Sequence, residues 1–165
     1  MSRIASLTTS KLQGIMVATG GVAETVAELA AQAGVSLPGV LPGQIVVQNV
    51  AAELMERTGG AKYPLVFIYC SKITNTLREK FRTFSGDANM VIEARVSQDR
   101  MDNIEANAQH YIDAITQVLD NNRGDWGDGV FYSGGYEVAF SGVKQGGRNF
   151  LQIARVSFVL DISAD

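Results

Sequence analysis

Residues 149–162, NFLQIARVSFVLDI, constrain the fold of this chain more than any other stretch. Phe150, Ala154, Val156, Phe158, Leu160 and Ile162 share one parity, while Leu151, Ile153, Arg155, Ser157, Val159 and Asp161 form a mixed second face. Successive side chains of a strand point to opposite faces, so the first set is one apolar sheet face. Strands usually run about 5–6 residues, so this one is expected to reach beyond the sheet of its own subunit. Its apolar face needs cover. The best candidate is a helix over 100–121, where Met101, Ile104, Ala108, Tyr111, Ile112, Ile115, Val118 and Leu119 form one stripe at helical spacing. Asp99 or Ser97 is expected to cap it, with Asp102 suiting the positive end of its dipole.

The remaining elements are arranged around these two. YPLVFIYC (63–70) reads as a short strand buried on both faces. ANMVIEARVSQ (88–98) reads as a second strand, with Met90, Ile92, Ala94 and Val96 on one side and Val91, Glu93, Arg95 and Ser97 on the other. A third strand is expected at 130–141, joined to the last by KQGGRN, since Gly146-Gly147 tolerates positive φ. Upstream, 10–33 reads as helix interrupted at Gly20-Gly21 and ending at Gly34. SLPGVLPGQ is a connector. A further helix is expected over 44–57, ending at Gly59-Gly60, although its β-branched start, QIVV, also fits a short strand. The expectation is α+β: a four-stranded, largely antiparallel β-β-α-β-β sheet with one long helix on a face, preceded by N-terminal helices. Residues 1–61 would be a helical segment and 62–165 the α+β core, together forming one structural domain.

Composition narrows the function classes. Of 165 residues, 46% are hydrophobic, enough for a core, and only 19% are charged, below the usual quarter. The net charge of −3 argues against a dedicated nucleic-acid binder. The single cysteine, Cys70, cannot form an intrachain disulfide and lies in an apolar run. No signal peptide and no apolar run of membrane-spanning length is visible, so a soluble protein made in a cytoplasm is expected.

Few residues carry chemistry. His110 is the only histidine, with Asp113 at i+3, and a base there would need a nucleophile such as Cys70. Asp120, Asn122, Asp125 and Asp128 resemble cation ligands, but an EF-hand starting at Asp120 would have Asp125 in place of glycine and Phe131 in place of glutamate. Arg123-Gly124-Asp125 matches an adhesion tripeptide but follows a helix end, where Arg123 complements the dipole, Gly124 stops the helix and Asp128-Gly129 turns the chain. No catalytic, cofactor or metal residues are nominated. The basic run 72–82, with Lys72, Arg78, Lys80 and Arg82 against Glu79, reads as a loop. Trp126 is either a lid on its own sheet or an anchor on a neighbouring chain.

The stretch from about 62 to 162 resembles the phage tail terminator family, the tail-completion or tail-to-head joining proteins of long-tailed phages. The likeness lies in element order: YPLVFIYCSKI, then MVIEARVS, the helix NIEANAQHYIDAITQVLDNN, and the closing strands GVFYSGGYEVAFSGV and NFLQIARVSFVLDIS. The resemblance implies a non-enzymatic virion protein, assembled in the host cytoplasm into a homohexameric ring. Its partners would be the tail tube protein, the neck proteins of the head connector and the tape-measure protein, with DNA only passing through the lumen and no membrane. Interface roles are expected for Lys72, Arg78, Lys80, Arg82, Arg123 and Trp126. The rivals are a head-closure or neck ring, a small cytosolic enzyme using His110, and a monomeric binding module.

Overall fold

The computed structural model describes residues 3–52, 54–55, 62–146 and 148–165. Two helices open the chain, α1 (Ile4–Val17) and α2 (Val22–Ala33), broken at Gly20–Gly21. Gly34 ends α2 at φ 67°, its N–H bonded to the carbonyls of Ala30 and Ala31; only glycine adopts this left-handed conformation without steric cost. After a 3₁₀ turn at Pro42–Gln44 come β1 (Ile45–Val47), β2 (Leu65–Asn75) and β3 (Phe84–Gln98), then α3 (Ile104–Asp120). The chain closes with β4 (Gly124–Gly127), β5 (Val130–Tyr132), β6 (Glu137–Phe140), β7 (Lys144–Gly146) and β8 (Asn149–Ala164).

These strands overturn the expected four-stranded sheet with one long helix. The described residues form a mixed sheet of eight strands, ordered β1-β2-β3-β8-β5-β4, with β6 and β7 also on β8, and three helices. Three local causes account for the difference. Ile45–Val47, read as the start of a helix or as a short strand, is the strand, paired in parallel with Val66–Ile68; there the β-branched run outweighs the helical spacing of Val46, Val50 and Leu54. Of the rest of that expected helix, 48–51 is irregular and helix appears only at Ala52, Leu54 and Met55, with the Met55 N–H on the Ala51 carbonyl, while 53, 56–57 and the Gly59-Gly60 stop lie outside the described residues. The strand expected at 130–141 is split, because Ser133–Tyr136 leaves the ladder with Gly134 and Gly135 at φ 95° and 88°. And Asp128-Gly129, at φ 54° and 80°, forms a two-residue turn that folds Gly124–Gly127 back as a strand on β5. Two successive positive φ values define the type I′ turn, whose twist suits a hairpin.

The expected hairpin at KQGGRN is present between β7 and β8 (Gly146 opposite Asn149), though Gly147 lies outside the described residues. α3 starts later than expected. Its N-cap is Asn103 at φ 64°, with no side-chain cap bond, so neither Ser97 nor Asp99 caps it.

β8 is the spine. β3 runs along it from Phe150–Gln98 to Ala164–Phe84, while β7, β6 and β5 follow one another down its other side. All three helices cover one face. Leu12, Met16, Val26, Ile112, Ile115 and Leu119 share a core with Ile68, Ala88, Met90, Ile92, Ala154, Val156 and Leu160. On the opposite face, among the described residues, Ala52 and Tyr63 pack on Leu151 and Ile153, and Leu65, Phe67, Glu93 and Arg95 are buried beside them.

The turn makes a sharp prediction. A Cβ on Gly129 would lie 1.9 Å from the Ser163 carbonyl oxygen, at positive φ. Gly129→Ala should therefore cost more than about 2 kcal/mol, since the left-handed conformation alone costs an L-residue roughly 1–2. Gly14, exposed on α1 with nothing within 4 Å of its would-be Cβ, is the control: Gly14→Ala should stabilise by about 0.5–1 kcal/mol. Urea melts read both.

Two buried phenols predict the alkaline limit of the fold. Tyr111 donates to the Pro38 carbonyl at 2.6 Å and Tyr132 to the Gly135 carbonyl at 3.2 Å. Burial pushes both from an ordinary 10.0 up to about 12. The raised value means the fold favours the protonated phenol. That stability is complete below pH 10 and is lost as pH rises through about 12. Absorbance titration should show Tyr111 and Tyr132 ionising late, with unfolding setting in over the same interval; burial and the neighbouring Glu93 raise the Tyr69 phenol as well.

Candidate interaction surface

β2 and β3 both run further than the sequence suggested, so the basic loop shrinks to residues 76–83 and Lys72 sits on a strand. The loop is folded back by its own polar groups. Asn75 Oδ1 accepts from the N–H of Leu77 (3.2 Å) and of Ser85 (3.1 Å), and Asn75 Nδ2 donates to the Thr83 carbonyl (3.1 Å). Ser85, 2% exposed, accepts at Oγ from the Glu79 N–H (2.8 Å), and its carbonyl accepts from the N–H of Thr76 (3.1 Å).

The arginines complete the bracing. Arg78 reaches Asp87 at 2.7 Å and Asp161 at 3.4 Å. Arg82 reaches Asp165 at 2.7 Å and Glu79 at 3.6 Å, and Glu79 also accepts from the Ser163 hydroxyl at 2.7 Å. Arg78 and Arg82 thus meet Glu79, Asp87, Asp161 and Asp165, so the two arginines of the run are neutralised within the chain. Exposed ion pairs of this kind each contribute about 0–1 kcal/mol; their effect is to hold the loop in one shape.

On that braced knob sits Phe81, 99% exposed, beside Leu77 at 56%. An ordered, fully exposed phenylalanine is what a docking anchor looks like before its partner arrives. The sequence reading missed it. Phe81 was visible as an apolar residue inside a basic run, but its outward position depends on the Asn75 and Ser85 bonds.

The structure brings only part of the expected set together. Arg82 lines one cleft with Arg3, Ile4, Asp128 and Gly129, so the hairpin tip, the β4–β5 turn and the start of α1 meet at one end of the sheet. Lys72 lies along the outer edge of β2, and Lys80 is exposed on the loop. Arg123 lies apart, paired with Asp120 at 3.4 Å and against Gly134. Trp126 is folded onto its own chain. Its ring centroid is 5.7 Å from that of Tyr132 and 6.5 Å from that of Phe158, and its indole N–H donates to the Asn122 carbonyl at 2.7 Å.

The carboxylates that resembled cation ligands have local partners. Asp128 pairs with Lys11 at 2.9 Å, Asp125 accepts from the Gly127 N–H at 2.8 Å, and Asp120 meets Arg123 and the Tyr136 hydroxyl. Cys70, on β2, has its thiol pushed up by burial and directed at the Lys72 carbonyl. His110, on α3, lines a different cleft with Ser36, Asp99 and Asp102, and no hydrogen bond joins it to Cys70 among the described residues. Among the described residues no single helix is long and apolar enough to cross a membrane. No protein-family model matches the chain, and no curated protein matches it.

Proposed function

We propose that this chain is a non-enzymatic structural protein of a long-tailed phage, a tail terminator. Its copies would close into a homohexameric ring on the finished tail tube, stop further addition of tube protein and present a surface to the neck proteins of the head. The observation that carries the reading is the braced knob at 76–83, with Phe81 held out in solvent. A preordered aromatic loses little conformational freedom on docking, so it suits recognition of one repeating surface. The sequence resemblance over 62–162 supplies the family expectation, although the five-element order it rested on is corrected by the extra strands, and the slightly acidic net charge of −3 suits a lumen through which DNA slides.

The test is tube length. Purified chain added to polymerising tail tube protein should stop elongation, and loss of the gene should give overlong tails without heads, counted by electron microscopy. Phe81→Ser should abolish capping while leaving the thermal melt unchanged, since Phe81 buries nothing within its own chain. His110→Ala should leave capping intact. Normal tail length with heads that leak DNA would transfer the reading to a head-closure ring, and tubes that ignore the protein would overturn it.

A further inference from the structure

The sheet ends in two bare edges that match each other. Among the described residues β6 pairs with β8 alone, and all four of its residues are exposed, with Val138 at 37% and Phe140 at 45%. β2 is covered by β1 only at Val66–Ile68, leaving its outer edge over 72–75 bare among the described residues. Soluble proteins usually blunt such edges with lysine, proline or a bulge. β6, Glu137-Val138-Ala139-Phe140, has no lysine or proline, and its pairing with β8 runs without a shift.

The two edges agree in direction, face and charge. Three antiparallel steps, β2–β3, β3–β8 and β8–β6, separate them, so β6 runs opposite to β2. A second copy in the same orientation would therefore meet β6 with an antiparallel β2, and its helices would stay on the same face. Val138 and Ile73 both project to the helix side, since they lie opposite the buried Val156 and Ala88. Glu137 and Lys72 both project to the opposite side. With Val138 set opposite Ile73, Ala139 falls opposite Lys72 and Glu137 opposite Thr74, diagonal to Lys72. Diagonal neighbours on one sheet face lie about 7–8 Å apart, within reach of long side chains.

We infer that β6 of one copy adds to the 72–75 edge of β2 of the next, joining copies head to tail through a continuous sheet. A head-to-tail contact repeats around an axis and closes into a ring where the rotation allows. A two-fold pairing of β6 with β6 would leave the β2 edge and Ile73 bare. The inference rests on the proposed ring for closure only; the contact itself is tested separately.

Cross-linking of the full chain in a Cys70→Ser background decides it. Val138→Cys and Ile73→Cys chains, purified apart and mixed with oxidised glutathione, should form a disulfide dimer that neither forms alone. The double variant should give a ladder whose last rung counts the ring. Ala139→Cys with Lys72→Cys is the second pair, should either first position disturb folding as read by circular dichroism. Val138→Lys with Phe140→Lys should shift light scattering to the monomer. Dimer from Val138→Cys alone would establish the two-fold pairing instead and overturn the head-to-tail contact. Absence of cross-links from both pairs would also overturn it, whether the chain is assembled or monomeric. A ring that closes through other surfaces leaves the tail reading standing. A head-to-tail ladder from a chain that never sets tube length sinks the tail reading alone.

Discussion

Glu93→Ala should lower stability by about 3–5 kcal/mol, the range expected when one partner of a buried ion pair is removed. For a chain of this length that is a fall in melting temperature on the order of 10 °C. The cause is the charge left behind. Glu93 is 2% exposed and Arg95 3%; Arg95 Nε and Nη2 lie 2.8 Å and 2.7 Å from Glu93 Oε1. Arg95 also donates to the Val50 carbonyl and stacks on the Phe67 ring, 4.3 Å from its centroid, while its Nη1 is buried with no hydrogen-bond partner among the described residues. Without the carboxylate, a guanidinium would remain in an apolar layer with most of its hydrogen-bonding compensation gone.

The second bridge contributes little to that loss. Arg155 reaches Glu93 Oε2 at 3.0 Å, but its side chain is 47% exposed, so water replaces the carboxylate. Two variants separate the explanations. Arg155→Ala should cost under about 1 kcal/mol. Glu93→Leu combined with Arg95→Met should regain most of the stability lost by Glu93→Ala, because removing both charges also removes the cost of burying them. Urea denaturation of the three proteins measures this directly. A melt for Glu93→Ala within a degree of the parent would mean that this layer is wet in solution.

The same pair shows where sequence reasoning stops. Glu93 and Arg95 alternate with Ile92 and Ala94, a pattern that reads as a polar face turned to water. What surrounds them is non-local: Arg95 meets the Val50 carbonyl and the Phe67 ring, and Glu93 the Arg155 guanidinium and the Tyr69 hydroxyl. No period within 88–98 carries that information. The stripe of α3 from Ile104 to Leu119 and the parity of β8 were legible because each is a long repeat that one face of one element satisfies; Met101, counted in that stripe, precedes the helix and is exposed. β4 was not, since Gly-Asp-Trp-Gly has no alternation and becomes a strand only because Asp128-Gly129 folds it onto β5. β1 was legible only as helix or strand, because the helical spacing of Val46 and Val50 runs on into the short helix that holds Leu54. At the candidate surface, the basic residues were legible as charges. The neutralisation of Arg78 and Arg82 was not, because Asp161 and Asp165 approach them only after β8 has run alongside β3.

Trp126→Ala should destabilise the chain by about 2–3 kcal/mol, below the value for a fully buried tryptophan because this ring is half-exposed. Trp126, Tyr132 and Phe158 form a closed aromatic trio, with the Tyr132 and Phe158 centroids 5.2 Å apart at 60° and Trp126 tilted against both. Removing the indole uncovers Tyr132, which is 0% exposed, and loses the bond to the Asn122 carbonyl. It also loosens the β4–β5 turn, which Lys11 ties to α1 by donating to the Trp126 carbonyl at 2.8 Å and pairing with Asp128. Trp126→Phe restores the ring contacts but not the N–H donor, so a deficit of about 1 kcal/mol should remain. Circular dichroism must follow the unfolding, because Trp126 is the only tryptophan. The two roles of Trp126 predict opposite signatures. A lid loses stability, and its loss disturbs assembly only as far as the fold weakens. An anchor leaves the urea midpoint unchanged and removes assembly outright. The ring contacts with Tyr132 and Phe158 predict the first.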